Sequence, residues 1–144
     1  QYKTNFFSPS NSLCEENVDS SHSKFKKKIL KFFFFYKKNA TSLCSTDLIT
    51  LDSFIKENKL TSIDILKIDA EGYEFKILKG LKNNIHETKV ILFEHHYDNS
   101  LIKNYKFSDI NKFLKKNNFK KVYKNKMFFR KIFEYVYINR LHLK

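Results

Sequence analysis

Two glycines and one proline serve 144 residues, methionine occurs once, and tryptophan is absent. With glycine this scarce no GxG pair exists anywhere, so a glycine-rich turn able to cradle a cofactor is missing from these residues. Cys14 and Cys44 form neither a CxxC pair nor a Cys/His ligand spacing, which argues against a zinc site and a disulfide framework. A reducing, cytoplasmic setting is the simplest expectation. Long apolar runs are also lacking: KKKILKFFFFYKK, residues 26–38, resembles an anchor but falls far short of the roughly 20 apolar residues a bilayer crossing needs. A buried strand or insertion helix is the plainer reading of it, with contact at a membrane surface as the rival. No internal repeat is evident. Because the sequence opens on Gln1 and its sole methionine is Met127, further residues are expected on the N-terminal side.

What is present is 42% hydrophobic and 17% aromatic, enough for one globular unit with a real core. The net charge of +13 would ordinarily suggest a polyanionic partner. The lysines are spread along the chain beside heavy use of Asn, Ile, Phe and Tyr, the joint bias of AT-rich codons, so a nucleic-acid partner is not expected.

Residues 1–8, QYKTNFFS, alternate as a strand does, and SPSNS breaks the pattern. Residues 14–45 read as an insertion between core elements. TDLITL then predicts a short strand, and Asp52 an N-cap for a helix DSFIKENK with Phe54 and Ile55 toward the core. IDILKID is apolar on both faces, as a parallel strand covered by helices on each side would be. EFKILKGL has helical spacing at Phe75, Leu78 and Leu81, with Glu71 and Glu74 near the positive end of its dipole. VILFEHH predicts a second two-sided strand, SDINKFLKKNN a helix capped by Ser108, and FKKVYK with EYVYINR a closing pair of strands around a KNKMFFRK loop. This order describes the later half of an open α/β sheet, whose ligands bind outside the carboxyl ends of the parallel strands.

Polar residues gather at those ends. Lys67 and Asp69 share a strand face, and a lysine buried there would need the aspartate as partner. A plain buried ion pair is the alternative to a site. Glu71 follows, and Gly72 suggests a turn of positive φ, whereas Gly80 reads as a helix end. Glu94, His95 and His96 close the next strand. An imidazole beside carboxylates can remove a proton from a hydroxyl. Asp69, Glu71, Glu94 and a histidine are also chemically able to hold a divalent metal, although no metal is expected. For each histidine singly, a solvated loop or a satisfied core position explains it as well. His22, His86 and His142 read as surface residues.

The succession ITLDSFI, IDILKIDAEGYEFKILKGL and VILFEHH resembles the FkbM-type family of S-adenosylmethionine-dependent methyltransferases. LKIDAEG followed by a glutamate and LKG is its specific part. The likeness covers residues 46–96 well, NFFSPSNSLCEEN loosely, and the closing strands by topology. It implies a Rossmann-like class I methyltransferase fold, here the C-terminal half of the open sheet with the insertion near residues 14–45. Residues 1–144 would then be a single partial domain lacking the N-terminal cofactor-binding strands. The implied reaction moves a methyl group from S-adenosyl-L-methionine to a hydroxyl of a small molecule, such as a carbohydrate. Asp69 would lie closest to the methyl group as base or orienter, tuned by Lys67. Glu94 would assist, His95 is the alternative base, and Glu71, Gly72 and His96 would bind the acceptor. The family's strand order sets the LKID strand beside a strand absent from this chain, so an unpaired edge, poor solubility and weak cofactor binding are expected. The rivals are a catalytically dead remnant and a basic nucleic-acid-binding module.

Overall fold

The structure, a computed structural model, describes residues 2–5, 24, 41–44, 47–98 and 100–143. The expected insertion falls largely outside these residues, as do the aromatic stretch 26–38, Cys14 and His22. Strands β1 (Tyr2–Asn5) and β2 (Thr41–Cys44) pair antiparallel as a two-stranded sheet, Tyr2 opposite Cys44.

Helix α1 (Leu51–Glu57) follows directly on an irregular stretch where TDLITL predicted a strand. Its N-cap is Thr50, whose hydroxyl oxygen accepts the Ser53 N–H at 3.1 Å, rather than Asp52. Either residue type can cap. Asp52 is occupied elsewhere: its carboxylate accepts Asn83 N–H at 3.0 Å, Asn84 N–H at 3.1 Å and the Asn84 side-chain amide at 2.7 Å. Ile55 enters the core as expected, but Phe54 points outward, 45% exposed.

Then come β3 (Ile63–Ile68), α2 (Glu74–Lys79), a 3-10 turn, β4 (Thr88–His96), α3 (Phe107–Lys116), β5 (Phe119–Lys126) and β6 (Ile132–Asn139). The four strands form a mixed sheet in the order β3-β4-β6-β5. β3 and β4 are parallel, Ile68 beside Phe93, and the β5–β6 hairpin lies antiparallel to β4. Helix α3 is capped at Lys106, not Ser108, because the Asp109 carboxylate takes the Lys106 N–H at 2.8 Å. Gly80 ends α2 as expected.

One face of the sheet carries the core. Ile91, Phe93, Tyr135 and Tyr137 pack against Leu78 of α2 and Ile110 and Leu114 of α3. Phe107 stacks on Tyr135 at 4.3 Å between centroids. The buried phenols keep partners: Tyr137 donates to Asn111 at 2.8 Å and Tyr135 pairs with the Tyr97 hydroxyl at 2.8 Å. Burial pushes both phenols above the usual tyrosine range.

The opposite face is more open, and here the two-sided burial expected of β3 fails. Ile65 is 65% exposed and Lys67 is exposed. Among the described residues β3 has one neighbour, β4, so its other edge is unpaired. An apolar run reports a capacity for burial, and the covering layers decide whether that capacity is used. No described helix is long and apolar enough to cross a membrane.

Candidate functional site

The site is built where β3 and β4 end. Beyond the Ile68–Phe93 pair both strands turn polar, β3 into Asp69-Ala70-Glu71-Gly72 and β4 into Glu94-His95-His96. The chain leaves β3 through a tight turn: Tyr73 N–H donates to Ala70 C=O at 3.1 Å, and φ is 45° at Glu71 and 101° at Gly72. Two successive positive φ values define the mirror-image turns that favour glycine, which accounts for Gly72. Glu74 locks the turn. Its buried carboxylate, 2% exposed, accepts Gly72 N–H at 2.9 Å and the Tyr105 hydroxyl. A buried carboxylate with two donors meets its hydrogen-bonding need locally.

Strand alternation then divides the residues between two faces. On the open face lie Lys67 and Glu94, with Glu134 of β6 opposite Glu94, and Asp69, exposed just beyond β3, is near enough to act on the Glu94 charge. Lys67, Glu94, Glu134, Leu92 and Tyr123 border a shallow groove of about 120 Å³. Glu94 titrates above the usual glutamate range, because burial disfavours its charge and Asp69, Glu134 and Glu71 repel it; Lys67 opposes the shift. Lys67 therefore corrects the sequence expectation: it is exposed rather than buried, and among the described ion pairs none joins it to Asp69. Its charge bears on Glu94.

His96 ends β4, 5% exposed. Its Nε2 lies 3.6 Å from Glu71 Oε2, and its Nδ1 lies 3.5 Å from Asp98 Oδ1 and 3.2 Å from the Ser100 hydroxyl. The carboxylate contacts are longer than good hydrogen bonds. Burial outweighs them and holds His96 below the usual histidine range. Asp98 is held low by the Ser100 hydroxyl, His96 and Arg130, whose Nη2 lies 3.6 Å away, even though burial pulls the other way.

His95 faces the helical side. It lies 3% exposed among Tyr97, Tyr105 and Phe107, with ring centroids at 4.8, 5.8 and 5.7 Å. Its Nδ1 is buried without a hydrogen-bond partner. Desolvation, then the charges of Lys103 and His96, push its pKa down to about 4. With His96, Asp98, Tyr97, Lys103 and Tyr105 it lines a cavity of about 450 Å³.

The seven sequence-predicted residues thus gather at one end of the parallel pair, but not in one pocket. Lys67 and Glu94 border the groove on the open face with Asp69 near enough to act on the Glu94 charge, Glu71 and His96 touch at the rim, and His95 and His96 both line the larger cavity. Among the described residues no three His, Cys, Asp or Glu side chains converge as metal ligands would. Sequence reasoning missed Glu74, Asp98 and Tyr105. Glu74 had been assigned only to the helix dipole, while Asp98 and Tyr105 sit in a β4–α3 loop without a motif. His86 and His142 are surface residues as expected.

The chain matches the family described as the methyltransferase FkbM domain over residues 4–121. It belongs to that family. No curated protein and no solved structure matches it. The FkbM match spans the β3 turn, β4 and the helical wall of the cavity, and the mixed α/β sheet is compatible with a methyltransferase-like fold.

Proposed function

We propose that the chain contributes the acceptor side of an S-adenosylmethionine-dependent methyltransferase of Rossmann-like class I fold, acting on a hydroxyl of a carbohydrate or another small metabolite. The observation that carries this reading is the meeting of Glu71 and His96 at 3.6 Å, which brings polar residues from two parallel strands to one rim in a family of methyltransferases. The cofactor supplies the methyl group. Within this chain the residues fit only its cationic sulfonium end: Asp69, Glu71 and Glu94 make a negative rim, and burial together with repulsion from its neighbours raises Glu94. The sequence has no GxG turn for the methionine and ribose.

In this reading Asp69 orients the acceptor hydroxyl and receives its proton as the oxygen–methyl bond forms. Glu94 and Lys67 set the charge around it, and Glu71, Gly72 and His96 position the acceptor. Alignment and proton removal are the tasks such a displacement leaves to the protein. A second reading rests on His95, which stays unprotonated at neutral pH, has an unpartnered nitrogen and lines the larger cavity. There it would be the base for an acceptor seated among the aromatic rings.

The test is transfer of labelled methyl from S-adenosylmethionine to a panel of sugars by the full-length translation product. Asp69→Asn is expected to cost about 100-fold or more in turnover with the fold intact. Undiminished turnover removes Asp69 from the mechanism. The same loss in His95→Gln, with Asp69→Asn active, would move the base to His95.

A further inference from the structure

The hairpin joining β5 to β6 ends in the two most exposed large apolar side chains among the described residues, Phe128 at 84% and Phe129 at 93%. Met127 N–H closes the hairpin on Ile132 C=O at 2.9 Å. Inside the loop Phe129 adopts φ 63°, left-handed backbone that suits glycine or asparagine. A bulky aromatic is held there at a cost, with its ring in solvent, and neither packing nor turn chemistry accounts for the choice.

The flanks are basic: Lys124, Lys126, Arg130 and Lys131 lie within eight positions, and Lys124, Lys126 and Lys131 are exposed. The two rings pack edge-on against each other, centroids 4.1 Å apart, at the convex end of the hairpin. That arrangement is unlike single-strand nucleic-acid sites, where separate ring faces line a basic groove for successive bases. An apolar pocket on another protein would suit the rings but leaves the basic flanks without a counterpart. A bilayer carrying anionic lipid supplies both, phosphates at the surface and an apolar layer just beneath.

We propose that Met127–Lys131 is a membrane-surface docking tip, in which Phe128 and Phe129 enter the interface of an anionic bilayer while Lys126 and Lys131 meet headgroup phosphates. This stands independently of methyl transfer, yet its location bears on the site. Tyr97 N–H donates to Lys131 C=O at 2.7 Å, and Arg130 reaches Asp98, the neighbour of His96. A docked tip therefore sets the rim of the candidate site beside the headgroups.

The experiment is co-sedimentation of the chain with vesicles of mixed phosphatidylcholine and phosphatidylglycerol, and with phosphatidylcholine alone. A chain of net charge +13 will be drawn to anionic vesicles by charge, so the deciding readout is dependence on the two rings. Phe128→Ser with Phe129→Asn is expected to lower partitioning about tenfold or more, with circular dichroism and melting midpoint preserved because asparagine tolerates the left-handed turn. Lys126→Gln with Lys131→Gln should weaken binding and its salt dependence together. Equal binding by the Phe128→Ser/Phe129→Asn chain overturns the proposal. So does wild-type binding to single-stranded oligonucleotide, rather than vesicles, that is lost with the same two rings.

Discussion

The Glu71 carboxylate reaches within 3.6 Å of the His96 imidazole, joining the turn after β3 to the final residue of β4. The contact is possible because Glu71 and Gly72 both take positive φ, which folds the chain back over the strand ends. Residues 25 positions apart in sequence are thereby set on one rim.

Gly72 at φ 101° has a backbone an L side chain rarely adopts. Gly72→Ala should destabilise the fold by about 1–2 kcal/mol, read as a lower urea midpoint. It should reduce methyl transfer beyond that loss, since Glu71 moves with the turn.

Glu94 is held above its ordinary pKa, so ionising it costs more in the folded chain than in the unfolded one. Glu94→Gln should therefore raise the denaturation midpoint at pH 7 while lowering turnover. A residue kept for packing would give the opposite sign in stability. Parallel urea titrations and methyl-transfer assays of wild type and variant decide between the two.

His95 titrates near 4 in the folded chain against 6.5 unfolded, so the unfolded chain binds more protons between those values. Its contribution to stability is intact above pH 6.5 and is lost as pH falls toward 4. The shift corresponds to at most about 3 kcal/mol, less what water at the cavity mouth screens. His96 acts in the same direction, and Glu94 partly offsets both near the acidic end of this window. Denaturation midpoints from pH 7.5 to 4.5 should fall steeply for wild type and less steeply for His95→Phe, where the aromatic contacts survive without a titrating ring.

Asp52 accepts three hydrogen bonds from Asn83 and Asn84, clasping α1 to the segment after α2. Asp52→Ala should cost about 1–2 kcal/mol, more than Thr50→Ala, which loses a single cap bond to Ser53. Thermal melts of the two variants rank them.

The order of elements from α1 onward was readable because each carried its own period: two-residue alternation in β6, helical spacing at Phe75, Leu78 and Leu81. Gly72 signalled its positive φ through rarity alone. What escaped depends on partners distant in sequence. Asp52 looked like a cap because Asn83 and Asn84 lie some thirty residues on. Lys67 looked buried because its strand is apolar, whereas exposure follows from what covers the sheet. The same alternation that placed Lys67 with Asp69 separates His95 from His96, but the depth of His95 follows from Tyr97, Tyr105 and Phe107, of which only Tyr97 is near in sequence.

The carboxylate of Glu74 answers to two masters, the Gly72 amide and the Tyr105 hydroxyl. Tyr105 forms part of the wall of the larger hollow, and Gly72 anchors the bend that presents Glu71. One carboxylate thus ties the wall of the hollow on the helical side to the bend that carries Glu71 toward His96.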